Sequence, residues 1–347
     1  MEEPWIDSAR KLLERGLLPD VVTRAVARRL LREQLDRGTR TSEERPVGLI
    51  EPESFPGRRM PPAFYRRILG PAGKLSCVFF DGPDDTLEAA ETRTLRQTVA
   101  RAGIEDGHRV LDLGCGLGAL SLFIARTFEH CQVVAVTASP AQARFVETRR
   151  KALRLDNVEV VHSSLGDYES AEPFDRVISI EALDQSLGSE ALVRHAASLL
   201  LPEGELFVQS SCHVSRSHTL QPSTSNLEWL YVGLLGGSKL PAADQRSNLE
   251  GSFTLEEELT FSGDDYARTV DGWLEQMDAA RSELKPLFTL VYGDESARWW
   301  NRWRAVLMGV SELFRQENGE EWVIKQYRLR PRAEAHRQPA PRISISA

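Results

Sequence analysis

Residues 110–118 read VLDLGCGLG, an apolar run that ends in Gly114, Gly116 and Gly118 and passes directly into the amphipathic stretch ALSLFIART. A strand that turns sharply into a helix needs residues without a Cβ, because the backbone bends tightly and a ligand approaches where a side chain would collide. The glycine spacing alone leaves several ligands open. Gly114, Gly116 and Ala119 also fit the G-x-G-x-x-G/A fingerprint of dinucleotide sites, and a glycine turn can be purely structural.

Two flanking features separate these readings. Asp112 lies two residues before the first glycine, where a carboxylate suits an amine-bearing or cationic ligand better than a pyrophosphate. A dinucleotide site also wants an acid at the end of the second strand to hold the ribose, and here that strand ends in Val136, Thr137, Ala138 and Ser139. Asp-x-Gly-x-Gly-x-Gly without that acid is the pattern of S-adenosylmethionine (SAM) methyltransferases, which makes SAM the expected cofactor.

Outward from this turn, short apolar runs alternate with helical stretches from 109 to 211: RVLDL, ALSLFIART, QVVAVT, PAQARFVETRRKALR, VEVVHS, FDRVISI, ALVRHAASLL and GELFVQSS. This alternation predicts an α/β fold with a mostly parallel, doubly wound, Rossmann-like sheet. Pro140 suits a first helical turn. Upstream, TLEAAETRTLRQTVARA predicts a helix over 84–102 capped by Asp84 or Asp85. Residues 8–37 carry apolar side chains at helical spacing, and Gly16 with Pro19 divides them into a hairpin of two helices. That hairpin reads as a packing element, or more sharply as a lid or homodimer contact. After 211 the alternation stops; helices are expected around 266–284 and 294–315, and WVIKQYRLR as a closing strand. The expected organisation is a hairpin and linker over 1–62, a methyltransferase domain over 63–330 with a cap insertion at about 212–265, and a disordered Arg- and Pro-rich tail over 331–347.

The 347 residues carry a formal net charge of −8, which argues against a nucleic-acid partner. The sequence contains no apolar run long enough to span a bilayer, and its start lacks the features of a secretory signal. Cys77, Cys115, Cys131 and Cys212 form no CxxC pair. The expectation is a cytoplasmic protein without a metal site, acting on a small molecule.

Over about residues 8–330 the chain resembles the coclaurine N-methyltransferase family, a branch of the cyclopropane-fatty-acid-synthase-like SAM methyltransferases. The resemblance rests on LLERGLLPDVVTRAVARRLLREQL, KLSCVFFDGPDDTLEAAE, VLDLGCGLGAL, FDRVISIEALDQ, the SCH of Ser211–His213, FSGDDYARTVDGWLEQMDA, KPLF and NRWRAVLMGVSELFRQENGEEW, in that order. It implies a class I methyltransferase fold with helical elements covering the site, and methylation of a secondary or tertiary amine. It also implies that Ser76 meets the carboxylate end of SAM, that Gly114 and Gly116 contact the cofactor, and that Thr137 and nearby Gln142 serve the ribose side. The family often carries an Asp facing the adenine after the third strand. Here Ser163 or Ser164 takes that place and Asp167 is shifted.

The family's Glu-x-x-Glu-His motif, set beside the substrate nitrogen, corresponds here to Glu181, Asp184 and Gln185. The second acid is a methylene shorter and the histidine is lost. Gln185 cannot take a proton, whereas Glu181 can hold or deprotonate an ammonium and Asp184 can assist electrostatically. Glu181 also reads as a helix cap, and His213 as a core histidine. Among aromatic candidates for cation–π contact with an amine (Phe80, Trp229, Tyr266, Trp273, Trp299, Trp300 and Trp303), Trp303 corresponds to a pocket tryptophan of the family, and Phe80 and Tyr266 join it as expected substrate contacts. Two alternatives stay open. One is cyclopropane-synthase-type C-methylation, with Cys77 and Tyr266 read as part of a bicarbonate cluster. The other is a SAM-binding protein whose transferase chemistry is lost or changed.

Overall fold

Strand β1 (Arg109–Leu113) pairs in parallel with β2 (Gln132–Thr137) on one side and with β4 (Phe174–Ile180) on the other; β2 pairs in parallel with β3 (Val158–His162), and β4 with β5 (Leu200–His213). With β8 (Phe253–Ser262) and β9 (Trp322–Pro331), these strands form a seven-stranded sheet of order β3-β2-β1-β4-β5-β9-β8. A two-stranded antiparallel pair, β6 (His218–Thr219) and β7 (Lys239–Leu240), stands apart. This is a computed structural model, and it describes residues 4–38, 60–183, 190–215, 218–219, 239–240 and 249–333. Asp184, Gln185, Trp229, Tyr231, most of the expected cap and nearly all of the expected tail lie outside them.

The pleat sorts side chains to opposite faces of the sheet. Leu111, Leu113, Val134, Val136, Val177, Leu206 and Val208 share one core cluster with Leu192, Val193, Ala196 and Ala197 of α7 (Glu190–Ser198). The alternate residues Val110, Val133, Ala135, Ile178 and Phe207 share the other with Leu95 and Val99 of α4 (Leu87–Arg101) and Leu120 and Ile124 of α5 (Ala119–Thr127). Both faces are covered, as the continuous apolar strands require. Helix α6 (Pro140–Leu153) begins with Pro140 in its first turn, and Ser139 caps it by accepting from Gln142 N–H. The expected cap at Asp84 or Asp85 is corrected: α4 starts at Leu87, and the Thr86 side chain accepts from Ala89 N–H. The Asp85 carboxylate is instead engaged by Arg93.

The chain divides into two compact units. The sheet and α4–α7 belong to one, drawn from 70–212, 243–261 and 323–347; the other is helical, drawn from 1–69, 213–242 and 262–322. The helical unit contains α1 (Pro4–Glu14), α2 (Asp20–Gly38), α3 (Pro62–Ile68), α8 (Asp264–Ala279), α9 (Arg281–Tyr292) and α10 (Ser296–Phe314). The N-terminal hairpin is α1 and α2, which pack on α10. Buried Glu14 accepts from Arg298 at 2.9 Å and from Arg302 at 2.7 Å, and buried Glu312 receives Arg24 and Arg28. Among the described residues no helix is long and apolar enough to cross a membrane.

Candidate functional site

The parallel strands β1–β5 end at one edge of the sheet, and the order reverses between β1 and β4. Open α/β sheets bind ligands at such a switch point, outside the carboxyl ends of the strands. Gly114 follows β1 and Glu181 follows β4, so the two sit on either side of it. They are close: a Cβ on Gly114 would lie 2.3 Å from the Cβ of Ala182, the residue after Glu181. Gly114 (φ +95°) and Gly116 (φ +54°) both use left-handed backbone that side-chain-bearing residues avoid. A Cβ on Gly116 would meet no protein atom within 4 Å and would project into open space.

That space adjoins a pocket lined by Gly73, Lys74, Ser76, Asp112, Gly114 and Gly116, with Leu95, Leu120 and Ile180 among its apolar walls. Asp112 is 2% exposed and accepts from Ser121 Oγ. Burial pushes its carboxyl up to about 6, with the Ser121 bonds pulling the other way. Lys74, 5% exposed, donates through Nζ to Ser76 Oγ and to the Cys77 carbonyl. Burial lowers its pKa against the opposing pull of Glu181, Cys77 and Glu91. The loop carrying Lys74 is held by buried Glu91, whose carboxylate accepts from the Ala72 and Lys74 N–H groups at 2.8 Å each.

Glu181 is one of few non-glycine residues with positive φ (+53°). Strained backbone of this kind persists where the surroundings over-determine it, often at functional sites. Its N–H donates to the Gln209 carbonyl, and its Oε1 accepts from Cys77 N–H at 3.2 Å and from Gln209 Nε2 at 2.9 Å.

The remaining expected residues are distributed as follows. Thr137 Oγ1 donates to Gln142 Oε1 at 2.7 Å at the end of β2, and Ser164, just past β3, donates to Asp167 Oδ2 at 2.6 Å. Gly118 does not line the pocket; it is the N-cap of α5, and a Cβ there would meet Val146 of α6 at 2.8 Å, so its role in the fold is close helix packing. Phe80 is half-buried on the loop after Phe79. In the helical unit, Trp303 donates to Tyr292 Oη and packs beside Phe64, while Tyr266 stacks on Phe314. His213 is buried edge-on to Trp322, 3.3 Å from Glu321. Sequence reasoning missed Lys74, although it stands two residues before Ser76, and it missed Gln209, which holds Glu181 and carries no motif.

The geometry is that of a small-molecule cradle at a switch point, and comparison with known proteins decides which. The chain is 30% identical over 334 residues to (S)-coclaurine N-methyltransferase of Thalictrum flavum subsp. glaucum, covering 90% of this chain and 92% of that one. It is 31% identical to the Papaver somniferum enzyme of the same name, over 90% and 94%. It belongs to the coclaurine N-methyltransferase family. The profile of the broader mycolic acid cyclopropane synthetase family matches residues 60–323. Among solved structures, coclaurine N-methyltransferase bound to N-methylheliamine and S-adenosylhomocysteine (SAH) superposes with a TM-score of 0.82 at 30% identity, covering 95% of this chain and all of that one. The cyclopropane synthase MmaA2 from Mycobacterium tuberculosis, at 24% identity and a TM-score of 0.65, shares the fold. The chain is a class I SAM-dependent methyltransferase.

The pocket fits that cofactor. Glycine backbone leaves open space beside Gly116, a buried acid stands at Asp112 for an ammonium, and Lys74 with Ser76 stands ready for a carboxylate.

Proposed function

We propose that the chain methylates the nitrogen of a small secondary or tertiary amine, with Glu181 as the carboxylate at that nitrogen. The observation that carries the reading is the position of Glu181 at the carboxyl edge of the sheet, beside the glycine turn, in strained backbone and fixed through Oε1. The names of the relatives support it: they include coclaurine, pavine and tetrahydroprotoberberine N-methyltransferases.

SAM, when bound, supplies an electrophilic methyl group on a sulfonium, so the chain's tasks are to orient, desolvate and manage one proton. Asp112, Ser76, Lys74, Gly114 and Gly116 would hold its methionine end, Thr137 and Gln142 its ribose, and Ser164 its adenine. Glu181 attracts an ammonium-bearing acceptor and accepts the proton that the amine sheds around methylation. Asp184 would add negative charge, and Gln185, where the family has histidine, has a side chain that cannot take a proton. His213, and the aromatic side chains of Phe80, Tyr266 and Trp303, keep the parts that the family resemblance implies for them toward a cationic acceptor. The four cysteines are buried and in no disulfide, which fits a reducing, cytoplasmic setting.

The cyclopropane synthetase profile over 60–323 favours a second reading, methyl transfer to an unsaturated lipid chain. Incubation with SAM and an amine panel headed by heliamine, beside vesicles of unsaturated phospholipid, tests both. The expected result is an amine gaining the mass of one CH2 with release of SAH. Methylation of the lipid and of no amine would replace the first reading with the second.

A further inference from the structure

From Glu181 a line of polar side chains, its two glutamines buried, runs across the neighbouring strands. Arg101 Nη1 on α4 donates to Gln326 Oε1 on β9 at 2.9 Å. Gln326 Nε2 donates to Gln209 Oε1 on β5 at 2.8 Å, and Gln209 Nε2 donates to Glu181 Oε1 at 2.9 Å. Gln209 is 0% and Gln326 1% exposed. Each amide accepts on the side facing the guanidinium and donates on the side facing the carboxylate. Turning either amide over would set NH2 against a cation's donors or oxygen against an anion, so the two end charges fix the polarity of both amides. Hydrogen bonds aligned in this sense polarise one another, more so away from water. Arg101 is itself held in place, its guanidinium 4.7 Å from the Phe261 ring centroid. An apolar pair would fill this part of the sheet without unpaired polar atoms, so packing alone does not call for two buried glutamines.

We propose that Arg101, Gln326 and Gln209 are positioning residues that hold the Glu181 carboxylate in one orientation for the acceptor amine. The proposal rests on the reading of Glu181 given above. The relay delivers a partial positive charge to Oε1 while two glutamines separate the guanidinium from Glu181. That arrangement suits an enzyme whose substrate is itself cationic, since a guanidinium beside Glu181 would repel it. Cys77 N–H supplies the second donor to the same oxygen, and Lys74, bonded to the Cys77 carbonyl, is a cation that interacts electrostatically with Glu181.

The test uses the full chain and two independent readouts. In the first, side-chain amide NMR signals of Gln209 and Gln326 are assigned by their loss in Gln209→Met and Gln326→Met. Glu181→Gln should then displace the Gln326 signals, although Gln326 does not touch Glu181, and Arg101→Met should displace those of Gln209. Unmoved signals in both variants overturn the relay, whatever the acceptor proves to be. In the second, Gln326→Met, shown folded by its melting transition and its SAH binding, should lower kcat for a methylated amine about 10- to 100-fold with KM for SAM unchanged. The same substitution made in Glu181→Gln should have no further effect. An equal loss in both backgrounds marks a structural role and overturns the proposal. If Glu181→Gln alone leaves kcat intact, the assigned role of Glu181 fails, and the NMR result still decides whether the relay exists.

Discussion

Ser121 Oγ lies 2.5 Å from Asp112 Oδ2 and donates to it across nine residues of sequence. The pleat makes this contact: Val110 faces α4 and α5, so Asp112, two residues on, points toward the first turn of α5, where Ser121 sits. A carboxylate is thereby held in the pocket with its backing bond already made.

Burial raises Asp112 from its ordinary 3.8 to about 6. Between those values the folded protein keeps a proton that the unfolded chain has released. Its contribution to stability therefore falls as pH rises through that window, by up to about 3 kcal/mol. A ligand ammonium favours the ionised form, so SAH affinity should rise about tenfold between pH 5 and pH 7. Calorimetry should also show proton release on binding at pH 5.5. In Asp112→Asn the affinity should be lower and flat across this range; a retained slope would assign the titration to another group.

Gly116→Ala and Gly114→Ala should separate ligand space from fold space. At Gly116 the added methyl meets no protein atom, so the variant should fold, with about 1 kcal/mol lost to the left-handed backbone. Its SAH affinity should drop at least about tenfold, because the methyl enters the ligand's space. At Gly114 the added methyl collides with Ala182, so melting temperature should fall further and the Glu181 turn should be displaced. Equal effects in the two variants would contradict this division.

Glu181→Gln keeps shape and removes the charge. Turnover of an accepted amine should fall by about 100- to 10,000-fold while SAM affinity stays within about twofold. Gln185→His, which restores the family's residue, should leave the rate equal or higher. Near-normal turnover in Glu181→Gln would mean that proximity alone carries the reaction.

Glu14 ties the N-terminal hairpin to α10. Burial alone would raise its carboxyl, but Arg302 and Arg298 outweigh it and hold the pKa below the usual range. Its contribution to stability is therefore complete above the ordinary carboxylate range and lost as pH falls through the lowered folded value. Glu14→Gln removes the buried charge that Arg302 and Arg298 share and should cost about 1–3 kcal/mol by denaturant melting, with SAH affinity unchanged.

What the sequence determined by itself was the part encoded in short-range pattern. The alternation over 109–211 specified the parallel sheet, because strands buried on both faces must be apolar throughout and must be joined by amphipathic helices. The glycine run after the first strand gave the sharp turn with left-handed backbone at Gly114 and Gly116, which lines a pocket with Asp112. The place of Glu181 directly after the fourth strand was also legible. The tertiary structure decided what depends on which strands become neighbours. Gln209 and Gln326 are 117 residues apart and meet only because β9 lies beside β5. Gly118, one of three glycines alike in sequence, turns out to serve helix packing because Val146 of α6 lies over it. Lys74 became a pocket residue through the fold of its loop onto Glu91. A periodic pattern reports whether a side chain is buried; which partner it meets there is set by strand order and register, which no local stretch of sequence contains.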